Sequence, residues 1–240
     1  MASKQVDIYR GIDPRDIPTY GIFESAQMLK IPPDTLRSWI RGRDYPTKHG
    51  IKRFQPLIKL PDPDLPLLSF INLVEAHVLD AVRYKDRIPL ENVRDAIKHL
   101  RERYQSEHPL VEYEFQHDGV DLFTEIARDI INVSKQGQIA IREVVTAYLK
   151  RIARDSKGSA IALYPYLKRD LKTEDPKLVL IDPRISFGKP ILVGVGVPTS
   201  VVADRHEAGE SIAELAKDYG CEASDIEKAV QYERALPKAA

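Results

Sequence analysis

The chain has 240 residues, 43% hydrophobic and 30% charged, enough apolar material for one large core or two to three small ones. No apolar run approaches the roughly 20 residues that cross a bilayer, the N-terminus has no signal-peptide core, and the single cysteine, Cys221, excludes an internal disulfide. Lys+Arg and Asp+Glu both number 36, but they are unevenly spread: residues 1–60 hold 11 basic against 6 acidic side chains, and residues 61–130 hold 8 against 15. Screening limits charge interactions to about 8–10 Å, so the basic first block keeps nucleic acid open as a partner and the zero net charge does not exclude it.

In chain order, residues 1–20 read as an extended arm. Phe23–Leu29 fits a short amphipathic helix, which Pro32 and Pro33 stop. Asp34 is the expected N-cap of a second helix, Thr35–Arg41, ended by Gly42. A hairpin, or wing, is expected over Tyr45–Leu60 with its turn at Gly50. After the break "LPDPDLP", "LSFINLVEAHVLDAVRYKD" predicts a long helix with one apolar stripe through Phe70, Leu73, Val74, His77, Val78, Ala81 and Val82. A further helix is expected over Pro89–Gln105.

Residues 110–139 alternate like strands. "LVEYEFQ", a turn at His117-Asp118-Gly119, "VDLFTEIA" and a strand pair around Gly137 are expected, followed by a helix over "REVVTAYLKRIARD" and a strand in "SAIALYPYL". Tyr113, Phe115, Leu122, Phe123, Ile130, Ile131, Ile139, Ile141, Tyr148 and Leu149 are its candidate core. Residues 168–177 read as a charged linker. In the tail, two short strands flank Gly188-Lys189-Pro190, and helices are expected near 199–208, 211–219 and 224–235, with Ser211 and Ser224 as caps.

The pattern "ESAQMLKIPPDTLRSWI" can be laid over "SIAELAKDYGCEASDIEKAV": Ala26, Lys30, Leu36 and Trp39 take the offsets of Ala216, Gly220, Ile226 and Ala229. Both read as helix–turn–helix units, whose second helix can enter a major groove. In the first copy, Leu36, Trp39 and Ile40 form the buried side, and Thr35, Arg37, Ser38 and Arg41 face outward. Arginine can pair with guanine O6 and N7, and hydroxyls with bases or phosphates. Arg43, Lys48, Lys52 and Arg53 are candidate phosphate contacts from the wing. In the second copy, Asp225 and Glu227 stand against Lys228 in the equivalent region, with Glu222 in the turn. Phosphate repels such a face, so Asp225, Glu227 and Lys228, with Gly188, Lys189 and Pro190, are expected to meet protein.

The stretch "GIFESAQMLKIPPDTLRSWIRG" resembles the opening of MerR-like winged helix–turn–helix domains, with Lys30 where a glycine is usual. Residues 178–235, through Ile181-Asp182-Pro183, Gly188-Lys189-Pro190, Ala208-Gly209-Glu210-Ser211 and Tyr219-Gly220, resemble a short domain of unknown function common in bacterial antitoxin operons; Gly194-Val195-Gly196 stands where that family commonly has Gly-Thr-Arg. The whole arrangement resembles a VapB-type antitoxin. The resemblance implies a PIN-like toxin nuclease as partner, operator DNA, repression of the chain's own operon and a cytoplasmic protein. The expected fold is α+β and mostly helical: a winged helix–turn–helix over 1–106, a mixed β/helix unit over 107–167 that could mediate a homodimer, a linker over 168–177, and a β-hairpin with three homeodomain-like helices over 178–240. A free-standing MerR-like regulator with a ligand-sensing central unit is the alternative.

Signals for catalysis are weak. "GVGVP" and "FGKP" lack phosphate-loop spacing, the histidines show no metal spacing, His77 reads as a satisfied core residue, and Cys221 has no base beside it in sequence. No enzyme activity, cofactor or metal is expected.

Overall fold

The computed structural model describes residues 9, 11–47, 50–83, 90–112, 120–121, 135–167 and 175–234, the side chains of 45–47, 52, 90–91 and 135–141 apart. The fold is α+β. Its described helices are α1 (Ile22–Leu29), α2 (Pro33–Arg41), α3 (Phe70–Arg83), α4 (Leu90–Tyr104), α5 (Lys135–Leu149), α6 (Thr199–Glu207), α7 (Ile212–Tyr219) and α8 (Ala223–Arg234). Short antiparallel pairs join β1 (Tyr20–Gly21) to β4 (Leu67–Leu68), β2 (Arg43–Thr47) to β3 (Gly50–Phe54), β5 (Ile152–Arg154) to β6 (Ala160–Leu163) and β7 (Val179–Leu180) to β8 (Ile191–Leu192). None of the described helices is long and apolar enough to cross a membrane.

Helix α3 is the spine. Twelve of its fourteen residues are buried, so the single apolar stripe expected from the sequence is replaced by burial on nearly every side: α1 and α5 both pack against it. The polar residues this buries find partners. Asn72 Nδ2 donates to the Lys59 carbonyl and to Glu75, each at 3.0 Å, and the Tyr148 hydroxyl donates to Asp80 at 3.0 Å. His77 Nε2 lies 3.1 Å from the Tyr148 carbonyl, and burial pushes the imidazole pKa down to about 3, so the ring is neutral. It is the satisfied core histidine that its place on the helix predicts.

Several local expectations are corrected. Helix α2 begins at Pro33 with Pro32 as its N-cap, not Asp34; a proline in the first turn lacks only an amide that has no helical partner there. Asp34 pairs instead with Arg37 one turn on. Gly137 lies in α5 rather than in a strand turn. It is the third residue of that helix, where the entropic cost of glycine is offset by the packing of the following turns on α3. Helix α5 stops at Leu149, and Ile152–Arg154 of the helix expected over 142–155 is strand β5. Leu110 and Val111 form a turn, and Val120 and Asp121 are helical; the rest of the strands and turn expected over 113–134 lies outside the described residues. Tyr148 and Leu149 of the candidate central core are buried, while the side chains of Tyr113, Phe115, Leu122, Phe123, Ile130, Ile131, Ile139 and Ile141 lie outside the described set. The second wing strand ends at Phe54, not Leu60. Ser224 is inside α8, which starts at Ala223, so it is not the cap. Ser211 does cap α7: its hydroxyl accepts from the Glu214 amide while Glu214 accepts from the Ser211 amide at 2.9 Å.

One apolar core runs from Tyr20 to Ile181 and takes in α1 to α5 and the β5–β6 hairpin. A second runs from Leu167 to Tyr232 and holds α6, α7 and α8 together. Several contacts among the described residues tie the C-terminal segment to the first core. Leu163 and Ile181 exchange backbone hydrogen bonds at 2.9 and 2.8 Å. The Arg151 side chain, 5% exposed, donates to the carbonyls of Tyr164, Pro165 and Asp175 at 2.6, 3.0 and 2.9 Å and lies over the Tyr166 ring, tying both ends of the 165–175 segment to one cation. Gly188 lies against Tyr20: a Cβ at residue 188 would stand 2.0 Å from the Tyr20 hydroxyl.

Gly188 also has φ +75°, so Gly188→Ala combines a left-handed backbone with a steric clash and lowers stability by about 2–3 kcal/mol. The buried Tyr20 hydroxyl has no hydrogen-bond partner among the described residues, so Tyr20→Phe leaves stability unchanged or raises it by up to about 1 kcal/mol. Urea denaturation of both single variants and the double variant checks this: Tyr20→Phe is expected to recover part of the loss caused by Gly188→Ala.

Candidate nucleic-acid interface

The turn between α1 and α2 is closed by backbone geometry. Lys30 takes the left-handed conformation, φ 57° and ψ 31°; its amide bonds the Gln27 carbonyl at 3.2 Å, and the Ile31 amide bonds the Ala26 carbonyl at 3.0 Å. This is the paired bonding of a Schellman cap. Ala26 is fully buried where the helices touch, and Leu36, Trp39 and Ile40 are buried along α2. The Trp39 carbonyl accepts from the amides of Leu57 and Ile58 at 2.7 and 3.1 Å, so the chain after the wing closes the C-terminal end of α2.

The opposite face of α2 is basic and open. Arg37 and Arg41 are exposed one helical turn apart. Arg37 pairs with Asp34, an exposed pair of the sort that contributes little. Thr35 and Ser38 are half-buried, and the Ser38 hydroxyl donates to the Thr35 carbonyl at 2.8 Å. Arg43 is exposed at the base of the wing. Arg53 reaches Asp44 at 3.6 Å and the Arg41 carbonyl at 3.3 Å. Lys52 is on β3, its side chain outside the described set, and Lys48 lies outside the described residues. An α-helix is about 10–12 Å across with its side chains, which fits a major groove about 12 Å wide.

The second copy repeats the backbone with different chemistry. Gly220 has φ 65° and ψ 37°, its amide bonds the Lys217 carbonyl at 3.3 Å, and the Cys221 amide bonds the Ala216 carbonyl at 3.0 Å. Ala216, Ile226 and Ala229 are buried as Ala26, Leu36 and Trp39 are. Outside, Glu222 and Glu227 are exposed and Asp225 and Lys228 half-buried. Burial and the neighbouring carboxylates Asp225 and Glu222 raise the Cys221 thiol above its usual range, which suppresses the nucleophilic thiolate. Of the other expected partner contacts, Lys189 is exposed, while Gly188 and Pro190 are buried; Gly188 is engaged with Tyr20 inside the chain.

The two copies touch each other, which sequence reasoning missed. Lys30 Nζ donates to the Tyr232 carbonyl and sits 3.9 Å from the centre of the Tyr232 ring. The Tyr232 hydroxyl returns a hydrogen bond to the Met28 carbonyl at 2.9 Å. Lys30 is 7% exposed and Tyr232 2%. Next to them, Thr199 at the start of α6 donates to Glu233. The signal was present in the sequence: a lysine at the turn position where glycine is usual is explained by a partner for its side chain. Burial lowers the Lys30 ammonium to about pKa 8, with Glu233 opposing.

Two stretches of the chain match known families. Residues 18–97 match the family described as "Putative DNA-binding HTH domain", and residues 179–232 match "Protein of unknown function (DUF433)". The chain is 30% identical over 224 residues to the "Putative antitoxin VapB45" of Mycobacterium tuberculosis, covering 85% of this chain and 89% of that one. It is 25% identical over 229 residues to the uncharacterized protein Rv2308 of the same organism, covering 90% of each. The crystal structure of Rv2018 from M. tuberculosis superposes with a TM-score of 0.62 at 22% identity, over 90% of this chain and 98% of that one, and shares its fold.

The Lys30 pKa sets a pH signature. Between about 8 in the folded chain and 10.5, the ordinary value, the unfolded chain holds a proton that the folded chain has released, so this group makes stability rise with pH across that window. Below pH 8 both states are protonated and its penalty is constant. Urea midpoints at pH 7.5 and 9.5 are expected to move in favour of wild type over Lys30→Met by about 1–2 kcal/mol; an unchanged difference would mean that Lys30 titrates like a solvent lysine.

Proposed function

The chain belongs to the family of the VapB45 antitoxin, and from that premise we propose that it is an antitoxin which reads operator DNA through α2 and holds a PIN-like toxin nuclease through its C-terminal unit. The observation that carries the DNA half is the open basic face of α2: Arg37 and Arg41 outward, with the opposite face locked into the core by Leu36, Trp39 and Ile40. Thr35 and Ser38 add hydroxyls beside them. Arg43, Lys48, Lys52 and Arg53 from the wing hold phosphates, which orient the helix without reading sequence. A homodimer places two such helices on half-sites one turn, or a multiple, apart, and occupancy of the chain's own promoter represses the operon.

The toxin half rests on the acidic second copy. Helix α8 has the backbone of a recognition helix but exposes Glu227 beside Asp225 and Lys228, and Tyr232 near its end is engaged with Met28 and Lys30. A helix so charged and so anchored is suited to protein and not to phosphate. Lys189 is exposed and is assigned to the same partner, while Gly188 and Pro190 are buried and Gly188 is engaged with Tyr20.

Fluorescence anisotropy of the purified chain against its own upstream DNA and a scrambled duplex, at several salt concentrations, tests the DNA half. Wild type is expected to prefer the upstream DNA, and Arg37→Ala and Arg41→Ala each to reduce that preference by roughly 5- to 100-fold. Equal affinity for the two duplexes would overturn the assignment of α2 as a reader. Co-elution with a PIN-like nuclease encoded beside the chain, weakened by Glu227→Lys, tests the toxin half. Absence of co-elution at micromolar concentrations would remove it.

A further inference from the structure

An open groove of about 790 Å³ begins where α2 ends. Arg41 and Arg53 form its near end, Lys59 and Arg101 its far end, and Asp64 and Glu107 are the carboxylates on its walls. Four cations against two anions leave it positive. The loop over 55–66 that shapes it contains prolines 56, 61, 63 and 66, each with a fixed φ. It is also pinned to its surroundings. The amides of Leu57 and Ile58 bond the Trp39 carbonyl of α2, the Arg101 guanidinium bonds the Leu57 carbonyl at 3.2 Å, and the fully buried Asn72 bonds the Lys59 carbonyl at 3.0 Å.

Lys59 is two-thirds exposed and paired with Glu107 at 3.3 Å. An exposed pair of this sort contributes at most about 1 kcal/mol, so an incoming phosphate can take the place of the carboxylate. Arg101 spends Nε and Nη2 on the carbonyls of Glu107 and Leu57, which orients the cation at the groove wall. The arrangement is a preorganised cationic channel continuous with the reading helix, and two of its cations, Lys59 and Arg101, come from outside α2 and the wing.

We propose that this groove is a second DNA contact, in which Lys59 and Arg101 hold the phosphate backbone of the duplex beyond the part read by α2. The proposal rests on the DNA-reading role of α2 given above and adds to it a sequence-independent grip. The ligand is the sugar–phosphate backbone, so the groove supplies affinity and salt dependence, while Arg37 and Arg41 supply preference. Asp64 opposes it by repelling the same backbone.

The test uses the full chain, two exposed-site variants and anisotropy titrations against upstream and scrambled duplexes between about 50 and 200 mM salt. Lys59→Gln is expected to weaken binding to both duplexes by about 3- to 10-fold and to reduce the magnitude of the log–log salt slope by about 0.9, leaving the ratio between the two duplexes unchanged. Asp64→Asn is expected to tighten binding to both, an effect that partial unfolding cannot produce. Unchanged affinity and slope in both variants would overturn the groove while leaving α2 as the reader. A changed ratio in Lys59→Gln would also overturn it, because the residue would then be acting through the pose of α2. If wild type binds neither duplex at 50 mM salt, the reading of α2 fails and the groove fails with it; binding by wild type separates the two failures.

Discussion

Lys30 and Tyr232 are 202 residues apart, and the placement of everything around them depends on their contact. The lysine sits at the one turn position where its backbone must be left-handed, a conformation that costs a non-glycine residue about 1 kcal/mol. Its ammonium is withdrawn from water as well, which costs more. A carbonyl, an aromatic face and a nearby carboxylate offset that second cost. Tyr232 completes the exchange by bonding the Met28 carbonyl, in the last turn of α1, where carbonyls lack helical partners. The contact therefore fastens α8 to the support helix of the DNA-reading unit at the turn that sets the angle of α2.

Beneath that junction lies α3. Because it is buried almost all round, the polar residues in it have one arrangement that satisfies them: Asn72 with Lys59 and Glu75, His77 with Tyr148, Asp80 with Tyr148. Asn72 couples the spine to the loop behind α2, and Tyr148 couples it to α5. Burial with unmade hydrogen bonds is costly, so these pairs favour one register of the elements packed on α3. The hydrogen bonds of Arg151 serve the same end for the chain entering the C-terminal core, with neutral carbonyls as its direct acceptors.

Charge distinguishes two similar scaffolds. Both helix–turn–helix units close with the same cap bonds and bury the same offsets, so backbone and packing do not distinguish them. The side chains that packing leaves outside do. Arginines outside α2 attract phosphate, and carboxylates outside α8 repel it. A zero net charge hides this difference because it averages over both faces.

Local rules made much of this protein legible from sequence. Proline at 32 and 33, glycine at 42, the Ser211–Glu214 capping box and apolar residues at three- and four-residue steps act within one or two turns, and they determined α1, α2 and the C-terminal helices to within a few residues, the presence of a wing though not its end, and the candidate reading face. Tertiary structure decided the rest. Gly137 is helical because the turns after it pack on α3, and the local pattern placed that helix only from Arg142 onward. Ile152–Arg154 left the helical pattern to pair with Ala160–Leu163. Gly188 reads as a surface turn until Tyr20 is found against it. Lys30 reads as a poor match to its motif until Tyr232 is placed over it. In each case the deciding partner is distant in sequence or belongs to another element, and the free energy that selects the conformation comes from burial and desolvation shared between the two, which local periodicity and propensity do not encode.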